Sequence, residues 1–123
     1  MSSMKVLIVD DNESITEVVK DYFEYENIEC VTVNDGRDGL DEIQTNRYDL
    51  ILLDIAIPGY SGIDILNELD PDYIEKNNII IFTASVFKSE DVEKFLKMGI
   101  KDVCVKPISL ESLDTIKEKY LAN

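Results

Sequence analysis

The sequence predicts an α/β domain: one parallel five-stranded sheet, doubly wound, with helices on both faces. Two observations predict it. Short apolar runs of strand length alternate five times with stretches whose apolar residues recur every three or four positions. The most apolar run, Leu50-Ile51-Leu52-Leu53-Asp54-Ile55-Ala56-Ile57-Pro58-Gly59, lacks the polar alternation of a half-exposed strand, so it must be buried on both faces. Strands of that kind separated by helices call for parallel pairing, and right-handed crossovers leave few topologies.

The elements follow in order. Val6–Val9 is a strand that ends at Asp10-Asp11, and Asn12 can cap a helix with Ile15, Val18, Val19, Tyr22 and Phe23 in one stripe. Asn27 ends that helix, and Glu29–Val33 is the second strand. Asp35-Gly36 opens a helix to about Asn46 with Leu40 and Ile43 inward. The third strand, Leu50–Asp54, leads through Gly59-Tyr60-Ser61-Gly62 to a helix from Ile63 to about Leu69, carrying Ile63, Leu66 and Leu69. Asp70-Pro71 is expected to break it. Ile79–Phe82 is the fourth strand, ending at Thr83. Ser89 is the expected N-cap of a helix that buries Val92, Phe95 and Leu96 and stops at Gly99. Val103–Val105 is the fifth strand, followed by Lys106-Pro107, and Ser109 opens a last helix with Leu110, Leu113, Ile116 and Tyr120 in register.

Composition narrows the function. A chain of 123 residues suits one domain over 1–123, with no output domain expected. No apolar run approaches the ~18–20 residues of a membrane span, and the N-terminus does not read as a secretory signal, so a cytoplasmic location is expected. A net charge of −14 argues against direct nucleic-acid binding or membrane insertion and favours basic partner surfaces. Histidine is absent, which removes Ser-His and Cys-His nucleophile pairs. Cys30 and Cys104 sit in β-like runs without a CxxC, so they are expected as small buried hydrophobes rather than metal ligands.

What remains is a set of polar residues at strand ends. A carboxylate within a buried run costs several kcal/mol, of order ~3–5, unless it stands at an end near water or a cation, so Asp54 should close its strand and face a cleft. In a parallel sheet, Asp10, Asp11, Asp54, Thr83 and Lys106 all follow strand C-termini along one edge, where open α/β sheets bind ligands. Taken singly, an Asp-Asp pair is ordinarily a solvated loop and a threonine after a strand a turn. Together they place three carboxylates, a hydroxyl and an ammonium in one crevice. Three close carboxylates repel unless a cation joins them, and a hard divalent ion with oxygen ligands resolves the conflict. Aspartate is a known phosphoryl acceptor, and metal, lysine and hydroxyl suit the charge that develops during transfer.

On these residues the chain resembles a response-regulator receiver domain over essentially its whole length. The match rests on Asp10-Asp11, Asp54 with Pro58 and Gly62, Thr83-Ala84 and Lys106-Pro107. The resemblance implies a flavodoxin-like (βα)5 fold of the CheY type, with the strand order 2-1-3-4-5 of that relative. It implies that Asp54 accepts a phosphoryl group from a histidine kinase or phosphotransfer protein, and that Mg²⁺ (or Mn²⁺) is held by Asp10, Asp11, Asp54 and the backbone carbonyl of Ala56. It further implies that Thr83 and Lys106 contact the phosphoryl group, that the Lys106-Pro107 bond is cis, and that a switch through Thr83, Ala84, Ser85, Phe87 and Val103 reshapes a surface read by a downstream docking protein. Val103 departs from the family, which often has Tyr or Phe there. Such a protein catalyses only its own phosphorylation and dephosphorylation, as a chemotaxis-type stand-alone regulator or a phosphorelay intermediate. The rival readings are weaker. A flavin carrier's phosphate loop would be repelled by Asp10-Asp11-Asn12-Glu13, the P-loop pattern is absent, a metal-dependent aspartyl phosphatase wants Asp where Ala56 stands, and a phosphorylation-independent interaction module has no need of the complete acid set.

Overall fold

A computed structural model describes residues 3–84 and 88–121. The chain runs β1 (Lys5–Val9), α1 (Glu13–Tyr25), β2 (Glu29–Val33), α2 (Gly36–Thr45), β3 (Leu50–Asp54), α3 (Gly62–Glu68), α4 (Pro71–Lys76), β4 (Ile79–Thr83), α5 (Ser89–Met98), β5 (Asp102–Val105) and α6 (Leu110–Tyr120). All five strands pair in parallel in the order β2-β1-β3-β4-β5. The expected topology is therefore the observed one.

Alternation along each strand divides the core in two. Leu7, Val9, Ile51, Leu53, Ile79 and Ile81 face one side and pack against Ile43 of α2, Ile65 and Leu66 of α3, Ile74 of α4 and Phe95 of α5. Val6, Ile8, Leu50, Leu52, Ile80 and Phe82 face the other and meet Val19 and Phe23 of α1 and Leu113 and Ile116 of α6. Every residue of β3 and β4 is buried, which is why those two strands read as unbroken apolar runs.

Six helices form among the described residues, not five. Asp70-Pro71 starts a helix instead of only ending one: the Asp70 carboxylate accepts the Asp72 N–H at 2.9 Å, and Pro71 occupies the first helical position, where its missing N–H costs nothing. Ser89 is the first residue of α5 rather than its cap, a position taken by Lys88 without a side-chain bond. Asn12 and Ser109 do cap their helices, Asn12 through the N–H groups of Ser14 and Ile15 and Ser109 through a reciprocal pair with Ser112. Gly99 ends α5 at φ 107°, and a Cβ there would lie 2.8 Å from Glu75 Cα, so both conformation and space demand glycine.

The helix stripes are narrower than their sequence periodicity. Periodicity alone turns Val18, Ile63, Leu96 and Leu110 inward, yet each keeps a substantial exposed surface. Each sits at the flank of a stripe whose centre (Val19 and Phe23, Ile65 and Leu66, Phe95, Leu113 and Ile116) already fills the sheet's pleat.

Both cysteines are free thiols; Cys30 is buried and Cys104 half-buried. Burial pushes the Cys30 thiol up to about 12 and that of Cys104 up to about 11. Only about one Cys30 thiol in ten thousand is then ionised at pH 8, and the thiolate is the nucleophile. We expect iodoacetamide at pH 8 to leave Cys30 unmodified in the native protein and to alkylate it within minutes in denaturant, read by intact mass. Rapid native alkylation would show that β2 opens far more readily than its burial implies.

Candidate functional site

Strand register brings the polar residues level. Val9 pairs with Leu53 and Asp54 with Phe82, so Asp10 and Asp54, one residue beyond and at the end of their strands, lie side by side across β1 and β3. Thr83 pairs with Val105, which sets Lys106 just past it, and the Lys106 N–H donates to the Thr83 carbonyl at 2.7 Å. One edge of the sheet thus carries Asp10, Asp11, Asp54, Thr83 and Lys106.

Lys106 holds the two buried carboxylates together. Its ammonium stands 2.6 Å from Asp10 Oδ2 and 3.2 Å from Asp54 Oδ2. The second oxygen of each carboxylate turns back on its own chain. Asp10 Oδ1 accepts the Asn12 N–H at 2.9 Å, and Asp54 Oδ1 accepts the Ala56 N–H at 3.0 Å. Each acid therefore uses one oxygen to fix its loop and the other to meet the same lysine. Exposure is 1 % for Asp10, 5 % for Asp54 and 0 % for Thr83, whereas Asp11 and Ala56 are exposed.

Burial shapes the ionisation. Desolvation pushes the Asp10 carboxyl above its ordinary value, against the opposing pull of Lys106 and the Asn12 N–H. Burial alone would lower the Lys106 ammonium, but Asp10 and Asp54 outweigh it and hold it up, so it stays charged through neutral pH.

Two devices press the loop after β3 against this edge. A Cβ at Gly62 would fall 2.6 Å from the Asp54 carbonyl oxygen, so only glycine lets α3 start so close, and the Gly62 N–H bonds Ile55 O at 3.1 Å. The Arg37 guanidinium lies over the Tyr60 ring at 4.5 Å and ties α2 to the same loop. Neither Arg37 nor Asn34 stands out in the sequence. Asn34 donates to the Asp10 carbonyl at 2.8 Å and to the buried Thr16 hydroxyl at 3.1 Å, which fixes the chain just past β1. A signal was there to find, because Asn34 follows β2 on the same edge as the acids.

Among the switch residues, Ala84 is exposed and Val103 is half-buried against the core beneath α2–α5. Ser85 and Phe87 lie outside the described residues. The Lys106-Pro107 peptide bond is cis. Ala56 meets Asp54 through its amide N–H.

The donor set suits a hard cation. One carboxylate oxygen each from Asp10, Asp11 and Asp54 lies within 4.8 Å of the others. Three carboxylates against one ammonium leave an uncompensated negative charge, and oxygen-only ligands are those a divalent ion such as Mg²⁺ takes. The cluster is compatible with both a metal and a phosphorylated aspartate.

The family model for the response regulator receiver domain matches residues 6–117. The chain belongs to that family. As a receiver domain of a two-component response regulator, it is 35 % identical over 111 residues to the response regulator ArlR of Staphylococcus saprophyticus, covering 89 % of this chain and 48 % of that protein. The chain spans about half the length of the curated relatives it matches. Among solved structures it resembles the receiver domain of the Francisella response regulator 1452, with TM-score 0.83, 32 % identity and 96 % coverage of both chains. A CheY-like receiver domain protein from Methanospirillum hungatei JF-1 gives TM-score 0.81 at 27 % identity, over 97 % of this chain and 94 % of that one.

The geometry makes Lys106 the main counter-charge of two buried acids. Lys106→Met should lower unfolding stability by about 3 kcal/mol at pH 7 in EDTA, the scale of a buried pair that loses one partner. An acid whose pKa is raised by folding costs stability above its unfolded value, and that cost fades as pH falls through the folded value. The gap to wild type should therefore narrow toward pH 4 in urea titrations. Equal stability at pH 7 would contradict the pairing.

Proposed function

We propose that Asp54 of this receiver domain is the acceptor of a phosphoryl group delivered by a histidine kinase or phosphotransfer protein in the cytoplasm, and that Mg²⁺ bound by Asp10, Asp11, Asp54 and the Ala56 carbonyl assists it. The single observation that carries this reading is the Asp54 carboxylate itself: buried at the end of β3, with its Oδ2 on Lys106 and a second acid beside it.

The chemistry follows from that position. An Asp54 carboxylate oxygen attacks phosphorus, the P–N bond of the donor phosphohistidine breaks, and its electron pair stays on the imidazole nitrogen, leaving an acyl phosphate. Lys106, held protonated, provides a fixed positive charge for the phosphoryl oxygens as charge spreads over them. The Thr83 hydroxyl, from the end of the neighbouring strand, bonds one of those oxygens. Mg²⁺ supplies further neutralisation of the same oxygens when bound. Ala56, small and exposed, leaves the acyl phosphate open to water, which returns the protein to its starting state.

Output runs through the elements after β4. Thr83 and Lys106 are joined by the Thr83 O–Lys106 N–H bond, so a pull on either moves the ends of β4 and β5 together. A downstream protein reads the surface of α5, β5 and α6. With Val103 half-buried against the core in place of a ring, position 103 has no aromatic side chain to swing, and the switch is either a smaller backbone displacement or is reported by another group such as Phe87.

Incubation with acetyl phosphate and Mg²⁺ should add about 80 Da to the intact mass, one phosphoryl group. The gain should be absent in Asp54→Asn and in EDTA, and reduced at least tenfold in Lys106→Met. A gain that persists in Asp54→Asn would place the modification elsewhere and refute this assignment.

A further inference from the structure

An apolar groove between α3 and α5 takes no part in the phosphoryl chemistry. Leu66 and Phe95 form its floor, and Ile63 and Met98 form its rims at 41 % and 36 % exposure. The groove encloses about 370 Å³, within the range of sites that bury apolar groups. Asp91 and Lys94 mark its polar edge. A second hollow of about 250 Å³ adjoins it, sharing Leu66, Asn67 and Met98 and continuing over Leu69, Pro71 and Ile74 to α4.

Two adjoining hollows want two apolar side chains presented in succession. A helix does this at positions i and i+3 or i+4, with neighbouring side chains about 5–6 Å apart. The surroundings define its charge. Helices α3, α4 and α5 together carry seven carboxylates (Asp64, Glu68, Asp72, Glu75, Glu90, Asp91, Glu93) against three lysines, Lys76, Lys94 and Lys97. A second copy of this chain would bring the same acidic helices and a net charge of −14 against itself. We propose that this groove docks an amphipathic helix of a partner protein, with aliphatic anchors on one face and lysine or arginine on its flanks.

The test uses a helical peptide of leucine and lysine, about 15 residues long, with leucines at i, i+3 and i+4, titrated into ¹⁵N-labelled protein. Amide shifts should concentrate in α3, α4 and α5. Ile63→Glu and Met98→Glu, both at exposed positions, should each weaken binding about tenfold or more, as loss of an anchor contact does, with thermal melts confirming that the variants fold. Each substitution adds a carboxylate, so an association driven by charge alone would tighten instead. Shifts scattered over the whole acidic surface, or binding that is unchanged or tighter in both variants, would overturn the proposal. A concentration-dependent dimer of the peptide-free protein that Ile63→Glu dissolves would also overturn it, in favour of a second copy.

Discussion

The bridge from Lys106 to Asp10 and Asp54 is the interaction on which the edge of the sheet depends. Two nearly inaccessible carboxylates at adjacent strand ends would repel each other at close range in a medium that screens poorly. One ammonium between them turns that repulsion into two charge-assisted contacts. The lysine reaches them from β5 across the intervening β4, so the site exists only when four strands are in register. Fold and site are thereby coupled: a slip of any one of β1, β3, β4 or β5 would separate the groups.

The remaining features hold those strand ends still. Asn34 and the Val33 carbonyl grip the backbone of Asp10 from β2, and Gly62 allows α3 to begin against Asp54. The one polar contact each acid keeps with its own loop leaves its other oxygen for cations. The arrangement still carries more negative than positive charge, and that excess suits a divalent ion better than a closed structural ion pair. It also separates work by region. Chemistry sits at the strand ends, while the α3–α5 groove lies on a flank where apolar side chains remain exposed.

Much of this was legible because the sheet is fully buried. Unbroken apolar runs mark β3 and β4, and a lone acid inside such a run has few physical excuses, so Asp54 stood out. Parallel topology then placed Asp10, Thr83 and Lys106 beside it without knowledge of any side-chain contact. What escaped has local causes. Asp70-Pro71 both terminates one helix and caps the next, and sequence shows the same residues for either role. Val18, Ile63, Leu96 and Leu110 obey helical periodicity, but how wide a stripe the sheet can cover is a tertiary property. Asn34 and Arg37 act through individual side-chain contacts that no spacing rule encodes, although the place of Asn34 on the shared edge was visible.

The central claim is that the buried carboxylate of Asp54 becomes an acyl phosphate, and locating that bond tests it most directly. Borohydride reduces an acyl phosphate of aspartate to homoserine, leaving a permanent mark. After reaction with acetyl phosphate and Mg²⁺, reduction and proteolysis, peptide mass spectrometry should find homoserine at position 54 and at none of Asp10, Asp11 or the other acids. Homoserine at another position, with Asp54 intact, would contradict the claim.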